Sequence, residues 1–209
     1  ANIQLCTAHW YGGNREQSCE NTVKSVKKLL GGIQIDGYYE LNMSEIPKLN
    51  SMVDGVTVTL EDDFSKKYPK MKKGATINLD DEQAYAYVHD RYGVGDEENT
   101  SRMKRQQQYM TGFFKKLQEK VKANPNYANE VFESLQDVST TDIAIGKISN
   151  ISNIFASGTD KGIFELAGKS KIGQALGDEM DHMEFYVNKK AMVSTMSELF
   201  GIVEQKNKE

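Results

Sequence analysis

The sequence predicts an α/β protein, a layered α-β-α domain with a central mixed sheet flanked by helices. Short strand-like runs alternate along the chain with stretches whose apolar residues recur every three or four positions, the order that stacks helices on a sheet. Residues 56–60, Val-Thr-Val-Thr-Leu, alternate apolar and polar and form the clearest strand signal. The longest periodic stretch carries Met103, Gln107, Met110, Phe113, Phe114, Leu117 and Val121, one apolar stripe on a helix that Asn124-Pro125 stops. No Pro/Ser-rich linker interrupts the 209 residues, so a single domain over 1–209 is expected.

In chain order, residues 5–13 read as irregular, with Gly12-Gly13 as a turn. Val23, Val26 and Leu30 give a helix that Gly31-Gly32 ends. Residues 38–43 read as a strand. Ser44 is positioned to cap a short helix through Ile46, Leu49 and Met52, and Asp54-Gly55 turns into the strand at 56–60. Asp80 with Gln83 three residues later fits a capping box for a helix with Ala84, Tyr85 and Val88 on its apolar side. After the long helix come helices at 127–135 and 141–155, the latter with Ala144, Ile148, Ile151 and Phe155 on one side and Gly158 closing it. Residues 163–166 and 183–187 look like strands, and Asn188 caps a last helix through Met192, Met196, Leu199 and Val203.

The composition is 38% hydrophobic and 27% charged, that of an ordinary globular protein, with no apolar run long enough to span a bilayer. A net charge of −4 disfavours a nucleic-acid binder, so any anion binding must be local. Cys6 and Cys19 are spaced to permit a disulfide that would contribute roughly 3 kcal/mol, and buried free thiols suit the same spacing equally well. Lys66, Lys67, Lys70, Lys72 and Lys73 crowd the surroundings of Tyr68-Pro69. Such a run either faces water or attracts a polyanion or an acidic membrane surface.

The main functional signal lies between Asp80 and Lys122. Arg102, Arg105 and Gln106 stand three and four residues apart and share a helix face, and the preceding loop brings Arg91 to the same place. Guanidinium forks and an amide at a helix N-terminus suit a phosphate or pyrophosphate, because Arg binds it bidentately and the free N–H groups favour negative charge. The alternative is a solvated face whose arginines pair with acids such as Glu97 and Glu98. His9, His89 and His182 lack metal-ligand spacing, and neither a phosphate-binding lysine loop nor a nucleophile elbow is present. Asp90, Asp96, Glu97 and Glu98 form an acidic loop that orients the arginines, faces solvent or holds magnesium weakly.

The run Leu79-Asp80-Asp81-Glu82-Gln83-Ala84-Tyr85-Ala86-Tyr87-Val88-His89-Asp90-Arg91, then Val94-Gly95-Asp96, then Arg102-Met103-Lys104-Arg105-Gln106-Gln107, resembles the LytR-CpsA-Psr family of bacterial cell-envelope enzymes. Ala8-His9-Trp10-Tyr11-Gly12-Gly13, Ile35-Asp36-Gly37-Tyr38-Tyr39 and Gly55-Val56-Thr57-Val58 follow in the family's order, and Met183-Glu184-Phe185-Tyr186-Val187 looks like the tail of some members. The family-matching core runs from about residue 5 to 122, with a helical and strand extension over 123–209.

The resemblance implies an extracytoplasmic domain with an N-terminal membrane anchor. It implies transfer of a glycopolymer phosphate, of teichoic acid or capsular polysaccharide type, from a polyprenyl-pyrophosphate carrier to peptidoglycan with Mg²⁺. It places Arg91, Arg102, Arg105 and Gln106 on the pyrophosphate. His89 stands where many members have an Arg and Gln4 where a Lys occurs, so both are possible contributors. The family's metal-binding aspartates have no counterpart in this chain, which looks like the C-terminal part of the domain, and those aspartates are expected upstream of Ala1. The chain alone is therefore expected to need more sequence for catalysis. The other reading is a non-catalytic module that binds a lipid pyrophosphate or an anionic polymer.

Overall fold

The computed structural model describes residues 5–201 apart from 176 and 178, and leaves the side chain of Cys6 undescribed. Its elements mix helices with short strands, an α/β fold. Contacts divide the chain into two compact units, one of residues 1–40, 140–142 and 164–209, the other of 41–139 and 143–163, so each unit draws on both sides of residue 122.

In the first unit a 3-10 helix, Leu5–Tyr11, replaces the expected irregular segment, with Thr7 and Ala8 buried. Helix α1, Arg15–Leu29, begins well before its apolar residues do, because Asn14 caps it by accepting the Gln17 N–H at 2.9 Å. Of the two states that the spacing of Cys6 and Cys19 allows, disulfide or free thiol, the structure has the free thiol at Cys19. Cys19 is a free, buried thiol on α1, its pKa raised by burial first and by the Glu40 charge second. Residues 163–166 are not a strand; the strand lies at Gly168–Gly173 (β5), paired antiparallel with His182–Val187 (β6) in the register Gly168↔Val187 to Gly173↔His182. Pairing with β6 overrides the apolar content of 163–166, since strands form where a partner and a turn fix the register. Helix α7, Lys189–Phe200, starts at Asn188 as anticipated and stops at Gly201 in the left-handed region; Val203 lies outside the described residues.

The second unit holds the motifs that carry the functional argument. Its core packs Val53, Val56, Val58, Leu60, Phe64, Met71, Leu79, Ala84, Tyr87, Val88, Val94 and Tyr109. Fully burying one such Val, Leu or Phe side chain contributes about 1.5–3 kcal/mol. A short 3-10 turn leads into α2, Ile46–Met52. Strands Thr57–Thr59 (β2) and Thr76–Asn78 (β3) form a hairpin with Val58 opposite Ile77. Helix α3 is Asp81–His89 and α4 is Asn99–Ala123, followed by α5, Tyr127–Ser134, and α6, Ile145–Ser157. Strand β1, Tyr39–Leu41, pairs with β4, Ser139–Thr141, and residues 39–40 and 140–141 of this pair belong to the first unit. Among the described residues the sheets are three pairs, so the strands expected at 38–43 and 56–60 lie in different sheets rather than one.

Asn50 is the polar hub of this core. Its amide donates to the Leu79 carbonyl at 2.9 Å and to Asp81 at 3.0 Å, while its oxygen accepts from the Val56 N–H and the Tyr109 hydroxyl, both at 3.2 Å. A buried amide with every group engaged fixes α2, β2, α3 and α4 against one another. Helix α4 comes so close to β2 that a Cβ at Gly112 would sit 2.6 Å from Val56 Cγ1. The buried side of α4 carries Arg105, Tyr109 and Val121, with Phe113 and Leu117 packed on the core. Met103, Met110 and Phe114, expected in the buried stripe, are 49%, 47% and 44% exposed. The helix turns its Arg105–Tyr109 side inward because those residues have partners in the core. On α6 it is Ser152 that is buried, while Ile151 is exposed.

Candidate functional site

The site is built by the end of α3, the loop of residues 90–98 and the first turns of α4. The capping box is complete: Asp80 accepts the Gln83 N–H at 2.9 Å, and the Gln83 side chain accepts the Asp80 N–H at 3.2 Å. That fixes where α3 begins, and its nine residues deliver His89 and Asp90 to the loop.

Arg105 then clamps the far end. It donates through Nε to the Tyr87 carbonyl at 3.0 Å, through Nη2 to the Asp90 carbonyl and through Nη1 to the Asp62 carboxylate, with its guanidinium 5.3 Å from the Phe64 ring centroid. Its side chain is 2% exposed and that of Asp62 14%. This corrects the placing of Arg105 on the ligand: its guanidinium faces the protein and holds the loop. Gln106 works beside it, donating from Nε2 to the Val88 carbonyl at 2.9 Å. Together these bonds hold the end of α3, and with it Arg91, against the turns of α4 that follow Arg102. Asp62 is the functional partner that the sequence did not reveal, for it lies 43 residues from Arg105 in an unremarkable acidic run.

The loop itself is tightly specified. Val94 is buried; Glu97, at φ +60°, turns its carboxylate back to accept the Gly93 N–H at 2.8 Å. Gly95 sits at φ +56°, and a Cβ there would lie 2.4 Å from an Asp62 carboxylate oxygen, so both conformation and space demand glycine. Asp96 accepts the Glu98 N–H at 2.9 Å and the Ser101 hydroxyl at 2.8 Å, tying the loop to the start of α4. Those bonds, the Glu98 N–H first, hold its carboxyl below the usual carboxylate range.

Arg91 and Arg102 are the remaining cations. Both are half-buried, and the Nε of each is buried without a hydrogen-bond partner. Arg91 lies over the Tyr92 ring at 4.3 Å and donates to its hydroxyl, while Arg102 donates from Nη2 to Asn99 at 2.7 Å. Buried donors left unpaired are costly, and an anion is the partner that suits them. His89 is exposed, stacked on Tyr85 at 4.8 Å, with Nδ1 3.2 Å from Asp90. Gln4 lies outside the described residues.

The carboxylates do not fit magnesium. Asp96 and Glu97 are engaged by the loop's own N–H groups, and Asp90 faces His89 and, at 3.5 Å, Lys67. Among the described residues no group of three or more His, Cys, Asp or Glu is placed to hold a metal ion, and no helix is long and apolar enough to cross a membrane.

Similarity to solved structures fits this architecture. Lin1025 from Listeria innocua matches with a TM-score of 0.65 at 20% identity, covering 97% of this chain and 81% of its own. TagV from Bacillus subtilis matches at 0.68 and 20% identity, covering 94% and 74%. TagT bound to LI-WTA matches at 0.65 and 19%, covering 93% and 69%. At such identities the likeness concerns the fold. No curated protein matches the sequence. Residues 2–200 match the LytR_cpsA_psr family, and the chain belongs to it. Membership puts it among cell-envelope proteins of cell-wall glycopolymer transfer.

Proposed function

We propose that this chain supplies the pyrophosphate grip of a phosphotransferase that moves a teichoic acid or capsular glycopolymer phosphate from a polyprenyl-pyrophosphate carrier to peptidoglycan. The observation that carries the proposal is the two buried, unpartnered Nε donors, on Arg91 in the loop after α3 and on Arg102 in the first turn of α4. Their guanidinium groups bind the diphosphate, and the first-turn N–H groups of the helix add to its field. In the transfer an acceptor hydroxyl attacks the phosphorus that bears the glycan. The bond from that phosphorus to the bridging oxygen breaks, polyprenyl phosphate leaves, and the hydroxyl proton passes to a base or to water. The arginines offset the charge that gathers on the leaving phosphate. Magnesium belongs to the proposal as a requirement whose ligands are not among the described residues, and the setting is extracytoplasmic, beside an anchoring membrane.

The engagement of Asp90, Asp96 and Glu97 within the loop favours a second reading, a non-catalytic module that binds the lipid pyrophosphate through Arg91 and Arg102. Titration with a short-chain polyprenyl-pyrophosphate analogue, with and without Mg²⁺, tests both. Hydrogen bonds to charged groups contribute about 1.5–3 kcal/mol, so Arg102→Ala is expected to weaken binding by about tenfold or more. Equal affinities of wild type and variant overturn the site. Metal-dependent transfer to peptidoglycan fragments supports the enzyme, and metal-independent binding without transfer supports the module.

A further inference from the structure

We propose that the loop of residues 64–75 is a second anion-binding surface, a rigid lysine-bearing shelf for a soluble, phosphate-rich polymer beside the arginine site. These twelve residues hold five lysines and no acid in a chain of net charge −4. All five lysines are exposed.

The loop is built to present them. Phe64 and Met71, 3% and 0% exposed, anchor it in the core, and the Phe64 N–H donates to the Met71 carbonyl at 2.9 Å. Tyr68 N–H to Phe64 O at 2.9 Å, Met71 N–H to Tyr68 O at 2.8 Å and Gly74 N–H to Leu60 O at 2.7 Å close the turns between. The backbone that carries these charges is already held, so little backbone entropy is lost when a polyanion binds.

The surrounding acids leave most of this charge free. Asp62 is taken by Arg105, and Asp63 accepts the Ser65 N–H at 2.8 Å, the Ser65 hydroxyl and the Lys73 N–H, with Lys72 the one shelf lysine whose charge acts on it. Lys67 lies 3.5 Å from Asp90, whose charge raises the lysine's pKa. Among the described residues Lys66, Lys70, Lys72 and Lys73 have no carboxylate within ion-pair distance.

The Lys67–Asp90 contact also fixes the place of the shelf. Asp90 precedes Arg91, so the lysines continue the basic surface away from the arginines, and one extended anion reaches both. A membrane surface is the less suitable partner, because interfacial segments insert apolar side chains and here Phe64 and Met71 point into the core. The shelf depends on the proposed function only for its neighbour, and the test separates the two.

Binding of fluorescent long-chain inorganic polyphosphate and of inorganic pyrophosphate is measured on the full chain at low and high salt. The comparison uses wild type, the triple variant Lys70→Glu/Lys72→Glu/Lys73→Glu, its Lys→Arg counterpart and Arg102→Ala. The triple Glu variant is expected to lose about tenfold or more in polyphosphate affinity at low salt, less at high salt, with pyrophosphate affinity unchanged and the Arg counterpart like wild type. Unchanged pyrophosphate binding in Arg102→Ala with the lysine effect intact counts against the arginine site and leaves the shelf standing. Unchanged polyphosphate affinity in a folded triple Glu variant overturns the shelf. So does tighter lysine-dependent binding to phosphatidylglycerol vesicles than to polyphosphate, which assigns the loop to a membrane.

Discussion

Arg105 and Arg102 are three residues apart on one helix and have opposite tasks. Arg105 is enclosed, with Asp62, Tyr87 and Asp90 around it, so its loss leaves a carboxylate in poor solvation. Arg105→Ala is expected to cost about 3–5 kcal/mol of unfolding free energy in urea denaturation, and Asp62→Ala in the same background to add far less than it does alone. Additive losses would show that the pair is not coupled. The sequence displayed the spacing of these arginines but not the difference between them, because the inward turn of Arg105 depends on partners distant in the chain. The hydroxyls of Tyr87 and Tyr109 are likewise enclosed, and burial raises both pKa values, against the pull of Arg105 at Tyr87. A raised tyrosine pKa leaves stability intact below the unfolded value near 10 and removes it as the pH rises through the folded one. Stability is therefore expected to fall above about pH 10, with a shallower slope in Tyr87→Phe/Tyr109→Phe; an unchanged slope refutes this.

The elements divide by the range of the forces that define them. The start of α3 was legible because its capping box lies within four residues, and α7 likewise begins at its Asn cap. Asp80→Ala is expected to cost about 1 kcal/mol in the same denaturation experiment, with no effect on pyrophosphate affinity. Elements defined by remote partners were not legible. The strand at Gly168–Gly173 is mostly polar and exposed, and only its ladder with β6 makes it a strand. Likewise the apolar stripe of α4 was readable as a helix signal, while the side facing the core was set by Asn50 and Asp62 through Tyr109 and Arg105. At the other end of the loop, Asp96→Ala removes the acceptor for the Glu98 N–H. Faster amide hydrogen exchange at Glu98 is the expected result, and unchanged protection there would refute the role of Asp96 in holding the loop to α4.

At the scale of the molecule, the two units differ in how much they bury. The first unit's buried residues include Thr7, Ala8, Ser18, Cys19, Met192 and Met196, several of them small or polar, whereas the second has a continuous core of aliphatic and aromatic residues. Unequal cores unfold unequally, so a single transition is not expected. In a Cys6→Ser background, labelling of the Cys19 thiol is expected at lower urea than loss of the near-ultraviolet tyrosine signal. Coincident midpoints would show that the units unfold together. Family and fold were readable from ordered motifs at the sequence level, whereas this division was not, because the first unit is assembled from segments at both ends of the chain.

The crowding of Gly95 against Asp62 constrains the order in which mutations become tolerable. A side chain at position 95 collides with the carboxylate while Asp62 remains, and Asp62 cannot be lost first without stranding Arg105 in the interior. An evolutionary path through this loop therefore begins by exchanging Arg105 and Asp62 together for apolar residues, and only then opens position 95, to Asn or Asp before any other residue because its φ remains positive. Among descendants of this sequence the three positions should change as a set, and a lineage that keeps the ion pair should keep the glycine.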